Sequence, residues 1–130
     1  MSKVDYIAAM QQFKQCPINH TFQVIGKKFT ILIMRNMMLF GHSHFNEFLE
    51  IEGINPKTLS QRLKEMQKNG IVERKVNPGT PVSIEYFLTE RGRALKPVLD
   101  QLMLFSMQHY PGQVCKDGQP MTLEDLVKFG

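Results

Sequence analysis

Apolar residues fall along this chain in two rhythms. Over most of it they recur every three or four positions, the spacing of one helical face, while residues 71–88 switch to a strand-like pattern. Within residues 1–15, Tyr6, Ile7, Met10 and Phe13 lie near one side and predict a short amphipathic helix. Cys16-Pro17 restarts the chain, because proline suits a first helical position where its missing N–H costs nothing. Phe22 and Ile25 give this second helix an apolar side, and Gly26 ends it. From Lys27 to Phe40 the positions Phe29, Leu32, Ile33, Asn36, Met37 and Phe40 mostly follow the helical period. Ile31 and Met34 widen that stripe, which predicts the buried centre of the domain.

After Gly41, Ser43 is the predicted cap of a helix carrying Phe45, Phe48, Leu49 and Ile51, closed by Gly53. Asn55-Pro56 opens the next helix with a cap residue and a first-turn proline, and Asn69-Gly70 is a left-handed exit. Strands are predicted at Ile71–Val76 and Val82–Leu88, joined by the turn residues Asn77-Pro78-Gly79-Thr80-Pro81. A β-hairpin directly after a helix-turn-helix is the outline of a winged helix. Thr89 is the predicted cap of a last long helix with Leu95, Val98, Leu99, Leu102, Met103 and Phe105 on one stripe, kinked at Pro97. Pro111-Gly112 ends it, and Thr122-Leu123-Glu124-Asp125 is a capping signal in the tail. The expected fold is mainly α with a small β-hairpin (α+β). It comprises an N-terminal dimerisation helix over 1–15, a winged helix-turn-helix over 16–88 and a C-terminal dimerisation helix over 89–110. The tail over 111–130 has no assigned role.

Composition changes this picture only by exclusion. A hydrophobic share of 42% with 22% charged residues is ordinary for a globular domain and argues against disorder. The longest apolar run, Phe29–Met34, stops at Arg35, too short to span a bilayer, and Met1-Ser2-Lys3-Val4-Asp5 lacks the layout of a secretory signal. A cytoplasmic protein is expected. There, Cys16 and Cys115 form no disulfide framework, nor do they make a C-x-x-C pair.

Charge is more informative. The chain carries 16 Lys and Arg against 12 Asp and Glu, a net +4. Between Asn55 and Ser83 lie six bases (Lys57, Arg62, Lys64, Lys68, Arg74, Lys75) and two acids (Glu65, Glu73), so this stretch alone carries the whole excess. With Leu59, Leu63 and Met66 facing the core, Lys57, Thr58, Gln61, Arg62, Lys64 and Lys68 turn outward or to the flanks and Ser60 lies on the boundary. Short polar and forked side chains at a helix start are the types that meet base edges and phosphates in a major groove. Candidate DNA-binding residues are therefore Lys57, Thr58, Ser60, Gln61, Arg62, Lys64 and Lys68 on the helix, and Lys75, Asn77, Gly79 and Thr80 on the wing. The alternative is a solvated helix face that happens to be basic.

The sequence resembles the HxlR-type family of winged-helix regulators, relatives of the wider MarR-like group. The matching stretches, in order, begin with Cys16-Pro17-Ile18, Val24-Ile25-Gly26-Lys27-Lys28-Phe29 and Phe45-Asn46-Glu47-Phe48. They continue through Leu59-Ser60-Gln61-Arg62-Leu63-Lys64-Glu65-Met66 and Gly70-Ile71-Val72-Glu73-Arg74. Glu85-Tyr86-Phe87-Leu88-Thr89 and Gly92-Arg93-Ala94-Leu95-Lys96-Pro97-Val98-Leu99 complete the set. The resemblance implies a homodimer with two recognition helices and two wings, acting on nearby genes. One departure is Phe29, where the family usually has Trp, an exchange expected to touch the core only. Dimerisation also has a physical argument: the stripes over 1–15 and 95–105 are more apolar surface than a minimal winged helix buries, unless both fold back onto their own core. Two recognition helices about 34 Å apart call for a palindromic double-stranded operator.

Cys16 precedes Pro17 at a helix N-terminus, a place that favours the reactive thiolate. The resemblance implies a redox or electrophile sensor at this position in some members; an inert, half-buried cysteine is the alternative. His20, His42, His44, His109 and the two cysteines lack diagnostic ligand spacing, so no metal is expected, with a metal- or small-ligand-responsive regulator as the rival reading. No phosphate loop, H-E-x-x-H or G-x-S-x-G occurs, and Gly41-His42-Ser43-His44-Phe45 fails the last pattern, so neither an enzyme nor a cofactor is expected. A winged helix that binds protein partners is the remaining alternative.

Overall fold

The computed structural model describes residues 1–128 of the chain; the last two residues of the 111–130 tail lie outside them. Helix α1 spans Lys3–Met10, α2 Pro17–Ile25, α3 Thr30–Phe40, α4 Phe45–Phe48 and α5 Pro56–Lys68. Strands β1 (Val72–Asn77) and β2 (Ser83–Leu88) follow, then α6 (Glu90–Arg93), α7 (Lys96–His109), α8 (Pro111–Val114) and α9 (Leu123–Val127). The chain is mainly helical with one antiparallel hairpin, paired in register from Val72 opposite Leu88 to Asn77 opposite Ser83.

Helix α3 is the centre. Ile33 and Met34 are fully buried, and around them pack Phe48 and Ile51, the inward face of α5, and Ile71 and Val72. Burying a side chain of this size contributes about 1.5–3 kcal/mol, so this ring of contacts fixes α5 against α3. The hairpin is tied to the helices by one more backbone bond, Tyr86 N–H to the Ser43 carbonyl at 2.8 Å.

Several elements differ from the sequence expectation, each for a local reason. Helix α1 stops at Met10, because it buries no residue and nothing offsets the cost of ordering the polar stretch after it. Helix α3 starts at Thr30 instead of Lys27, since Phe29 takes a left-handed φ of 78° that cannot continue a helix. The cap of α4 is His44, not Ser43: the Glu47 carboxylate accepts from the backbone N–H groups of both, at 3.0 and 2.9 Å. Ile51 is buried but lies beyond that short helix. The single long helix after Thr89 is two. The Pro97 ring would clash with the carbonyl of Arg93, so the chain breaks at Ala94-Leu95 and Pro97 sits in the first turn of α7.

The tail folds back along α7. Gln108 Nε2 donates to the Met121 carbonyl at 2.6 Å, Met107 is buried, and Thr122 caps α9 in the expected capping box with Asp125. The apolar side of α1 and part of that of α7 stay in solvent: Ile7 is 52% and Phe105 57% exposed, while Leu95 and Leu99 fold back onto the core.

Candidate nucleic-acid interface

The site is built on α5. Asn55 accepts from Thr58 N–H at 2.8 Å, Pro56 occupies the first turn, and Gly70 leaves the helix with a φ of 73°. Leu59, Leu63 and Met66 are buried, so the helix is rotated about its axis as the pattern required. Lys57, Gln61, Lys64 and Lys68 are exposed, and Thr58 and Ser60 are half-buried at the edges. The start of the helix thus offers its dipole and two forked or cationic side chains to solvent.

Arg62 is placed differently from expectation. Its guanidinium turns back to the α2–α3 turn, where Nε donates to the Lys28 carbonyl at 2.8 Å, and the side chain is only 17% exposed. The helical period could not reveal this, because the acceptor belongs to a turn that the sequence predicts as helix.

On the wing, Lys75, Gly79 and Thr80 are exposed, with Gly79 at a φ of 154° in the loop joining the strands. Asn77 is half-buried and falls in β1 instead of the turn. Its Nδ2 donates to Glu85 at 2.8 Å, and the other Glu85 oxygen accepts from Ser43 Oγ at 3.2 Å. Glu85 therefore clasps the wing base to the segment before α4, a role sequence reasoning missed because the partners are 42 residues apart. Arg74, which the sequence reading leaves out of the candidate set, stands beside that set in space. It lines a groove of about 360 Å³ between α5 and the hairpin, with Ser60, Lys64 and Gln67. Its place on the β1 face opposite Tyr86 was the available signal.

Cys16 occupies the N-cap position of α2 and is half-buried. The Asn19 backbone N–H and the Tyr6 hydroxyl, 3.9 Å from the sulfur, hold its thiol below the usual range despite some desolvation. Cys115 is a free thiol as well, at the end of α8. His42 is held by Asn36 at 3.4 Å, with the rings of Phe40 and Phe48 beside it, and His44 contacts Glu47. No group of three or more His, Cys, Asp or Glu side chains able to hold a metal occurs among the described residues. Nor is any helix among them long and apolar enough to cross a membrane.

Residues 24–113, spanning the helix-turn-helix, the hairpin and α7, match the family described as HxlR-like helix-turn-helix. The chain belongs to that family. Within it, the chain is 38% identical to the HTH-type transcriptional regulator YodB of Bacillus subtilis (strain 168), over 85% of this chain and 95% of that protein. Among solved structures it is similar to the redox regulator HypR in its oxidized form, with a TM-score of 0.65 and 37% identity over 70% of this chain and 94% of the other. The diamide-treated YodB of B. subtilis gives 0.61 and 38% identity over 80% of this chain and 99% of that one. The HxlR-like chain is accordingly a helix-turn-helix transcriptional regulator with a winged-helix fold. Phe29, expected to touch the core only, packs against the core but is not confined to it. It lies under Lys28 Nζ at 5.0 Å and beside Gly53 in the turn before α5.

Proposed function

We propose that two copies of this chain form a symmetric dimer that binds a palindromic double-stranded DNA operator through α5 and the hairpin, in the cytoplasm. The observation that carries the reading is the exposed cationic and forked set on one side of α5, continued by Arg74 in the groove beside Lys64, with Lys75 exposed on the other face of β1. Lys57 and Gln61 lead into the major groove and read base edges, while Lys64, Lys68, Lys75 and the backbone at Gly79 and Thr80 meet phosphates. The exposed stripes of α1 and α7 supply the interface between copies. Cys16, with its thiolate favoured at the start of α2, makes the dimer responsive to oxidants or electrophiles. The redox regulator HypR among the structural relatives supports this part of the reading.

Anisotropy titration against DNA upstream of the gene and its neighbours, at several salt concentrations, tests the first part. Specific binding that weakens steeply with salt is expected; equal binding to every duplex overturns it, and a shallow salt dependence favours a protein-binding winged helix. For Cys16, oxidant should alter operator binding by wild type and not by Cys16→Ser. Loss of a crosslinked species in the variant on non-reducing gels distinguishes an intersubunit bridge from modification of a lone thiol.

One observation favours a ligand-responsive regulator as the second reading. A cleft of about 470 Å³ between the end of α3, β2 and α7 is lined by Met38, His42, Tyr86, Leu88, Arg93 and Lys96. A cleft of this size holds a small molecule, and its occupant would touch both the wing and the dimer helix. Operator release by a small molecule in the Cys16→Ser background is the result that selects this reading.

A further inference from the structure

The single acid of α5, Glu65, lies where that helix passes the turn between α2 and α3. Its carboxylate accepts from Lys27 Nζ at 2.9 Å and lies 3.4 and 3.5 Å from Arg62 Nη1. Arg62 completes the bridge through its 2.8 Å bond to the Lys28 carbonyl. The next residue is Phe29 at a φ of 78°, a conformation that strains a side-chain-bearing residue and persists only where its surroundings hold it. Three side chains and one main-chain carbonyl thus join the helix to a strained turn whose Lys27 and Lys28 are exposed and whose Phe29 packs against the core.

A carboxylate on a helix that faces phosphates opposes binding by its charge. We propose that Glu65 is a positioning residue: with Arg62 and Lys27 it latches α5 to residues 27–29 and sets the pitch at which Lys57 and Gln61 meet the bases. The proposal rests on α5 being the recognition helix. It makes Arg62 a strut of the interface and takes it out of base reading.

The sign of one measurement separates the latch from simple electrostatics. In Glu65→Gln, loss of a negative charge by itself tightens binding to all DNA. The latch instead makes operator binding weaker, by roughly three- to tenfold, with binding to a scrambled duplex unchanged or tighter, so discrimination falls. A merely destabilised fold lowers the active fraction for both duplexes alike and leaves their ratio intact. Lys27→Met opens the same latch from the other side, at a residue whose side chain is 58% exposed, and lowers the same ratio even if the first variant folds poorly. Wild-type discrimination retained in both variants overturns the latch alone. A wild-type chain that discriminates no duplex overturns the recognition reading, and the latch with it.

Discussion

At the residue scale, charge and hydrogen-bond commitments separate side chains that look equivalent in the sequence. Gln61 is exposed and its Gln61→Ala variant should relax preference at one base pair, a loss of about 1–3 kcal/mol confined to that position in a panel of substituted duplexes. Lys75 is exposed on the wing, and Lys75→Ala should weaken binding about equally for all duplexes and flatten the salt slope by about one unit. Glu47 carries a different prediction. The N–H groups of Ser43 and His44 hold its carboxyl at about 2, below the ordinary 4.5. A group lowered in this way contributes stability above its unfolded pKa and loses it as pH falls through the folded one. Wild type should therefore lose stability relative to Glu47→Gln between about pH 4.5 and 2 in acid melts. The difference between the two proteins is the readout, because Asp5 and Asp125 are lowered too, by the caps at Ser2 and Thr122.

At the element scale, what matters is how segments close on each other. The end of α5, the start of β1 and the short α6 meet around Thr89. Its N–H donates to the Ile71 carbonyl at 3.1 Å and its hydroxyl to the Gly70 carbonyl at 2.6 Å. Gly92 sits in this junction so tightly that a Cβ there would overlap the Ile71 carbonyl oxygen. Gly92→Ala should cost about 1–3 kcal/mol and lower the melting temperature by several degrees, with DNA affinity at low temperature reduced because β1 and α5 shift together. Much of this scale was legible beforehand. The α5 cap at Asn55, its exit at Gly70 and the hairpin turn rest on residues whose backbone preferences act locally. The break before Pro97 and the left-handed Phe29 were not, because each depends on which of two local compromises the packed core selects.

On the scale of the whole molecule, the α1 residues and the part of the α7 stripe left in solvent (Val98, Leu102 and Phe105) are the feature that asks for a second copy. Phe105, with the His109 and Tyr110 rings 5.0 and 5.9 Å away, is 57% exposed on α7, and α1 buries none of its residues. Phe105→Glu should leave the single chain folded yet elute as a monomer where wild type elutes as a dimer. Operator affinity should drop at least about a hundredfold, since each half-site is then bound alone. An unchanged elution volume would show that the stripes serve some other contact.

By itself the sequence determined the helix-turn-helix, the hairpin and the orientation of α5, because hydrophobic period and cap chemistry act over a few residues and point the same way. It also located the basic excess, since charge can be counted without a fold. Tertiary structure alone decided what those charges do. Arg62 and Lys27 bind Glu65 and the α2–α3 turn, Asn77 binds Glu85, and Arg74 joins Lys64 in one groove. The Lys28 carbonyl lies 34 residues from Arg62 and Lys27 lies 38 from Glu65; such bonds follow distance in space, which no periodicity records.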